Sequence, residues 1–254
     1  MTPVTEDGTV FVHGWGCGVE DWSDVLTLLP AELPVCTVTL PGHLGSTKEK
    51  PLNSIEASAA YVLEKARSAG FSRFSLIGHS MGARIAIALA AQRTHCVTRL
   101  LLVDCSYVPG EPDSATQKLE HALATMGQAD WAEDTIASMH VENLAAERRR
   151  ALVARTAQTP AATLTTYYRA MTAWDAECLE SALSRLHCPV TVLQATSLDA
   201  SEKRWSVDVK ENSLWIAAIK KALPNADIQK LSKTGHFAMI EHPDVVAEWS
   251  ARMA

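Results

Sequence analysis

The chain has 254 residues, of which 47% are hydrophobic and 20% charged, and its net charge is −6. A chain of this size buries roughly 70–75% of its unfolded surface, so the composition excludes a disordered chain. Twelve Gly, 11 Pro and 6 Cys exclude collagen-like and disulfide-scaffold classes. The acidic balance gives no global attraction to nucleic-acid phosphates, and no apolar run is long enough to suggest a membrane span.

In chain order, residues 9–13 form a short β-rich run that ends at His13-Gly14-Trp15-Gly16. A helix is expected over residues 19–29, closed by Pro30. A second strand over 35–40 stops at Pro41-Gly42. Residues 54–68 read as an amphipathic helix with Ser54 or Asn53 as N-cap. A third strand, 74–78, is followed by an Ala/Ile/Leu-rich helix over 81–92. The unbroken apolar run 100–104 has the character of a strand buried on both faces of a parallel sheet. From 111 to 186 the chain reads as several helices without a convincing strand. Strands resume at 189–195 and 226–231, with helices over 212–223 and 242–252. Strand–helix alternation on both sides of a helical insert predicts an open, mostly parallel α/β sheet with a cap. The expected division is a core of residues 1–110 and 187–254 and a cap of 111–186.

Gly78-His79-Ser80-Met81-Gly82 fits G-x-S-x-G and stands between a strand and a helix. That context places Ser80 on a sharp turn, with the helix N-terminus presenting free amides to a developing negative charge. A hydroxyl needs a base, and histidine titrates near operating pH. His236, in the loop after the last strand, is expected on the same sheet rim as Ser80. His79 and His13 read as structural. The orienting carboxylate is expected to be Asp199, after the strand 189–195, with Asp104, at the end of the strand 100–104, as its rival.

These residues carry a resemblance to the α/β-hydrolases. His13-Gly14-Trp15-Gly16, Pro41-Gly42-His43, Gly78-His79-Ser80-Met81-Gly82, Asp199 and Gly235-His236 stand in that family's order. The resemblance implies an oxyanion hole made by the backbone N–H groups of Trp15 and Met81. It also implies an N-terminal hairpin that is shortened or missing here, and an acid loop about one residue longer than usual, which keeps Asp104 in play. Serine at 80 points away from the branches that use a carboxylate nucleophile. The stretch 13–16 with Glu20-Asp21-Trp22 is similar to the carboxylesterases that demethylate the pimeloyl–acyl-carrier-protein ester.

The resulting expectation is a cytoplasmic serine hydrolase of small carboxylic esters or thioesters, monomeric or homodimeric. It needs no metal or organic cofactor and has no nucleic-acid or membrane partner. A cofactor-independent dioxygenase or C–C bond hydrolase, and a ligand-binding pseudoenzyme, are the alternatives. Trp131, Tyr168, Met171 and Trp174 are candidate pocket residues of the cap, with Met126, Met139 and Tyr167 also considered. Arg148, Arg149, Arg150 and Arg155 make the cap locally basic, usually a solvated face, with docking of an acyl carrier protein as the functional alternative. The six cysteines lack C-x-x-C spacing and read as reduced, largely buried thiols.

Overall fold

The computed structural model describes residues 7–93, 95–107, 111–140, 143–199, 203–209 and 213–253. The expected helix start at 212, the cap boundary at 108–110 and the first six residues lie outside these.

Six strands make the main sheet: β1 (Asp7–Val12), β2 (Val35–Val38), β3 (Arg73–His79), β4 (Val97–Val103), β5 (Val190–Gln194) and β8 (Asp227–Lys230). Their order is β2-β1-β3-β4-β5-β8, and every neighbouring pair is parallel. Two short strands, β6 (Thr196–Leu198) and β7 (Arg204–Ser206), form a separate antiparallel hairpin directly after β5. The sequence reading treated this segment as a loop.

Side chains alternate across each strand, so one apolar run feeds two cores. Val10, Val12, Leu76, Leu100, Leu102 and Val192 point to one face. There they meet α2 (Ile55–Ser68), α3 (Met81–Gln92) and, at its edge, α9 (Leu214–Ala222). Phe11, Ile77, Leu101, Val103 and Leu193 point to the other. That face is covered by α1 (Ser23–Leu28) and by α10 (Ala238–Glu241) and α11 (Pro243–Ala251) at the C-terminal end. Ser54 caps α2, its hydroxyl accepting from the Ala57 amide at 3.0 Å.

A helical insertion follows β4: α4 (Pro112–Met126), α5 (Gln128–Ala137), α6 (Ala146–Gln158), α7 (Ala161–Glu177) and α8 (Leu179–Ser184). Helix α7 is fastened to the core beneath it. The Tyr167 hydroxyl donates to the Pro41 carbonyl at 3.0 Å, and the Trp15 indole N–H donates to the Leu164 carbonyl at 2.9 Å. No helix among the described residues is long and apolar enough to cross a membrane. All six cysteines are free thiols, three of them buried.

Candidate active site

Ser80 sits where β3 ends and α3 begins, with φ 52° and ψ −109°. A side-chain-bearing residue held there stores roughly 1–3 kcal/mol, tolerated only when its surroundings fix it. The fixing contacts are backbone ones: the Ser80 amide donates to the Val103 carbonyl at 3.0 Å. The glycines of the motif leave room for the turn. A Cβ on Gly82 would lie 2.2 Å from the Val12 carbonyl oxygen, so α3 reaches this close to β1 only with glycine there.

Met81 opens α3, and its amide is one of the helix's first N–H groups, which have no partner within the helix. The Trp15 amide follows the His13-Gly14 pair after β1. His13 fixes that loop. Its ring bonds the Gly14 carbonyl at 2.8 Å, and Nε2 accepts from the Leu40 amide at 3.0 Å. Burial lowers the His13 pKa to about 4, which keeps the ring neutral. His79 is fully buried and bonds through Nε2 to the His236 carbonyl at 2.9 Å. Both histidines thus have the bracing positions expected of them.

His236 Nδ1 lies 2.7 Å from Asp104 Oδ2. Asp104 follows β4 in a positive-φ conformation (39°). Its amide donates to the Leu193 carbonyl at 2.8 Å, so the neighbouring strand sets its place. Oδ1 accepts from Gln194 Nε2 and from the Ala195 and Thr196 amides, at 3.1, 2.8 and 2.7 Å. Oδ2 accepts from the Thr196 hydroxyl at 2.6 Å as well as from His236. Burial pushes the Asp104 pKa up, opposed by Arg204 and by the Thr196 and Ala195 donors. Burial holds His236 well below the usual histidine value, and the Arg204 and Arg84 guanidiniums add to this.

The expectation that Asp199 orients His236 is therefore corrected. Asp199 lies in the β6–β7 hairpin, where its carboxylate accepts from the Lys203 amide at 3.2 Å and the Trp205 indole N–H at 2.8 Å. The chain after β5 turns into a hairpin instead of a rim loop. It delivers Arg204, not Asp199, to the histidine.

Ser80 and His236 line one cavity of about 350 Å³. Of the cap candidates, Trp131, Tyr168, Met171 and Met139 line it. Trp15 packs between the first two, with ring centroids 5.6 Å from Trp131 and 5.2 Å from Tyr168. Trp174 does not line it; it is buried in the core on the α3 side of the sheet. Tyr167 is likewise core, and Met126 is exposed. Helical spacing alone does not say which face of α7 meets the cavity.

Four cations line the cavity: Arg84, Lys118, Arg155 and Arg204. Arg84, four residues after Ser80, is paired in a two-pronged contact with Asp175 of α7. Arg155 pairs with the buried Asp21 at 2.5 Å and is 10% exposed. That corrects the solvated face expected of it and removes it from the docking alternative. Arg148 and Arg149 stay at the surface with Asp24 and Glu133, at 2.7 and 3.0 Å, and Arg150 is exposed. The sequence reading missed Arg84, Asp175, Thr196 and Arg204. Only Arg84 carried a local signal, a cation inside an otherwise apolar buried helix.

The sequence profile of the alpha/beta hydrolase family matches residues 9–249. The chain is 28% identical over 250 residues to the pimeloyl-[acyl-carrier protein] methyl ester esterase of Aromatoleum aromaticum, covering 92% of this chain and 93% of that one. Among solved structures, a thermophilic esterase from Thermogutta terrifontis superposes with TM-score 0.77 at 19% identity, over 98% of this chain and 91% of the other. The enol-lactonase from Burkholderia xenovorans superposes at 0.76 and 18%, over 100% and 93%. With its parallel six-stranded sheet and a helical insertion after β4, the chain belongs to the α/β-hydrolase family.

Proposed function

We propose that the protein hydrolyses a small carboxylic ester through an acyl-enzyme on Ser80. One observation carries this reading. A fully buried histidine–carboxylate pair, 2.7 Å apart, shares a cavity with a serine held on a strained turn at a helix N-terminus. With its Nδ1 proton donated to Asp104, neutral His236 keeps Nε2 as a lone pair, the form a general base needs. His236 takes the Ser80 proton as Oγ attacks the acyl carbon. The Met81 and Trp15 amides receive the oxyanion. The imidazolium, balanced by Asp104, then protonates the departing alkoxide. Water, deprotonated in turn by His236, releases the acid and restores Ser80.

Similarity to an esterase of an acyl-carrier-protein-linked methyl ester supports an ester as substrate. If the natural ester is carried by an acidic protein, Arg148, Arg149 and Arg150 are the arginines placed to meet it. Arg155 is not, being buried against Asp21.

The test is turnover of p-nitrophenyl acetate and butyrate, together with covalent labelling by a fluorophosphonate. The wild type should hydrolyse and be labelled, and Ser80→Ala should lose both. Absence of turnover and of labelling in the wild type overturns the reading.

A further inference from the structure

Arg204 is the unexplained member of the site. Its side chain is only 8% exposed, yet it lines the cavity. Nη1 donates to the Thr196 hydroxyl at 2.6 Å and stands 3.3 Å from His236 Nδ1. That second contact is not a useful hydrogen bond, because Nδ1 already carries the proton given to Asp104. Asp104 is not a direct partner either. Its Oδ2 lies 3.8 Å from Nη1, and both carboxylate oxygens are occupied by other donors. The N–H groups on Nε and Nη2 have no hydrogen-bond partner among the described residues.

The other two cavity arginines each have a carboxylate partner: Arg84 is held by Asp175 and Arg155 by Asp21. A guanidinium with a free Nε/Nη2 edge is a planar, two-pronged donor that matches a carboxylate. Arg204 lines the cavity, so that edge is available to an acceptor that arrives with the substrate.

We propose that Arg204 is a specificity-determining residue that binds a carboxylate on the substrate, making half-esters of dicarboxylic acids the substrate class. This rests on the ester-hydrolase reading and extends it to the acyl group. The bound carboxylate also has a kinetic effect. Charged groups around the His236 ring are Asp104, Arg204 and, farther off, Arg84, with neutral His79 stacked at 4.6 Å. A guanidinium this close opposes the imidazolium that forms during attack. An anion on its outer edge offsets that opposition, so the correct substrate gains in kcat as well as in binding.

Monomethyl and dimethyl glutarate are a matched pair of similar size and opposite fitness. The half-ester should exceed the diester in kcat/KM by about tenfold or more in the wild type, as expected for a charged hydrogen-bonded contact. In Arg204→Gln the ratio should fall to near one. Calorimetry with glutarate and glutaramide reads the same site without catalysis. Glutarate should bind the wild type, and Arg204→Gln should weaken it about tenfold or more, while glutaramide is indifferent to the substitution. Unchanged glutarate affinity in Arg204→Gln overturns the proposal, as does a half-ester preference that survives it. Arg204-dependent glutarate binding with no ester turnover and no Ser80 labelling supports the anion site and defeats only the hydrolase reading. If Arg204→Gln does not fold, Arg204→Lys decides. It keeps the charge without the fork, so both preferences should drop, and preferences equal to wild type overturn the proposal.

Discussion

Asp175, on helix α7 of the cap, grips the Arg84 guanidinium on α3, the helix after Ser80, with hydrogen bonds of 2.8 and 2.6 Å. Both side chains are almost completely withdrawn from solvent, at 3% and 6% exposure. The pair ties the cap to the turn that carries Ser80, since Arg84 also donates to the Ser106 carbonyl just beyond β4. Removing Asp175 strands a buried cation. Asp175→Ala should destabilise the protein by about 3–5 kcal/mol, read from urea unfolding. Replacing both partners, as in Arg84→Met with Asp175→Leu, should recover most of that loss. A double variant no better than Asp175→Ala would show that the pair is not the source of the effect.

Asp104 and Asp199 make opposite predictions. Asp104→Asn keeps the shape but leaves His236 without its counter-charge and favours the wrong tautomer. It should lower kcat by about 10³–10⁴, by analogy with other Ser-His-Asp sites. Asp199→Asn alters contacts within the hairpin, those to Trp205 and Lys203 among them, and kcat/KM should stay within about tenfold. A large loss in the second variant and none in the first would reverse the assignment.

Activity should persist in mildly acidic solution. Attack needs neutral His236, and its pKa in the folded protein is held well below the ordinary value by burial and by Arg204 and Arg84. The acid limb of kcat/KM should therefore fall below the ordinary histidine value of about 6.5. In Arg204→Gln the limb should move upward, because one opposing charge is gone. Rate profiles on a neutral ester between about pH 4 and 8 measure both.

Stability should fall in the same direction of pH. His13, His43, His79 and His236 are all buried, with pKa values lowered by burial. A lowered folded-state value means that the unfolded chain binds the proton first. The stabilisation is complete above the unfolded value of about 6.5 and is lost as the pH drops toward the folded values. For His13, at about 4, the loss by pH 4.5 is roughly 2.5 kcal/mol. Asp21 and Asp104, raised by burial, act in the opposite sense. Four buried histidines stand against these two carboxylates, so the range below the ordinary histidine value of about 6.5 is the one to follow. Chemical denaturation across it should show stability falling steadily; a flat curve contradicts neutral buried histidines.

Local sequence carried the proposed nucleophile and base. Ser80 lies within a five-residue motif between a strand and a helix, and His236 follows the last strand. The strand–helix rhythm likewise carried the parallel sheet and the inserted helices. The acid was not legible in the same way. Asp104 and Asp199 each follow a buried strand, and both positions read as rim positions. What separates them is the hairpin Thr196–Ser206, held by cross-strand contacts that no short pattern encodes. Tyr168 against Trp174 is the same lesson within one helix. Both are large aromatics, but one lines the cavity and the other packs in the core on the α3 side of the sheet, and only the packing of α7 decides. Arg84 with Asp175, and Arg204 with Thr196, come together across long or irregular stretches of chain and have no sequence period at all.

The fastening of the cap bears on how molecules pass in and out. Helix α7 is pinned through Tyr167, Leu164 and Asp175. Helix α6 is pinned through Arg155, and the segment after α5 through the bond from the His236 amide to the Met139 carbonyl. Helix α4 is joined to α7 by an exposed ion pair from Asp113 to Arg169, and its Ala115, Lys118 and Leu119 form part of the cavity wall. The walls supplied by α6 and α7 are bolted to the sheet domain, so a molecule entering the cavity meets a fixed boundary on those two sides.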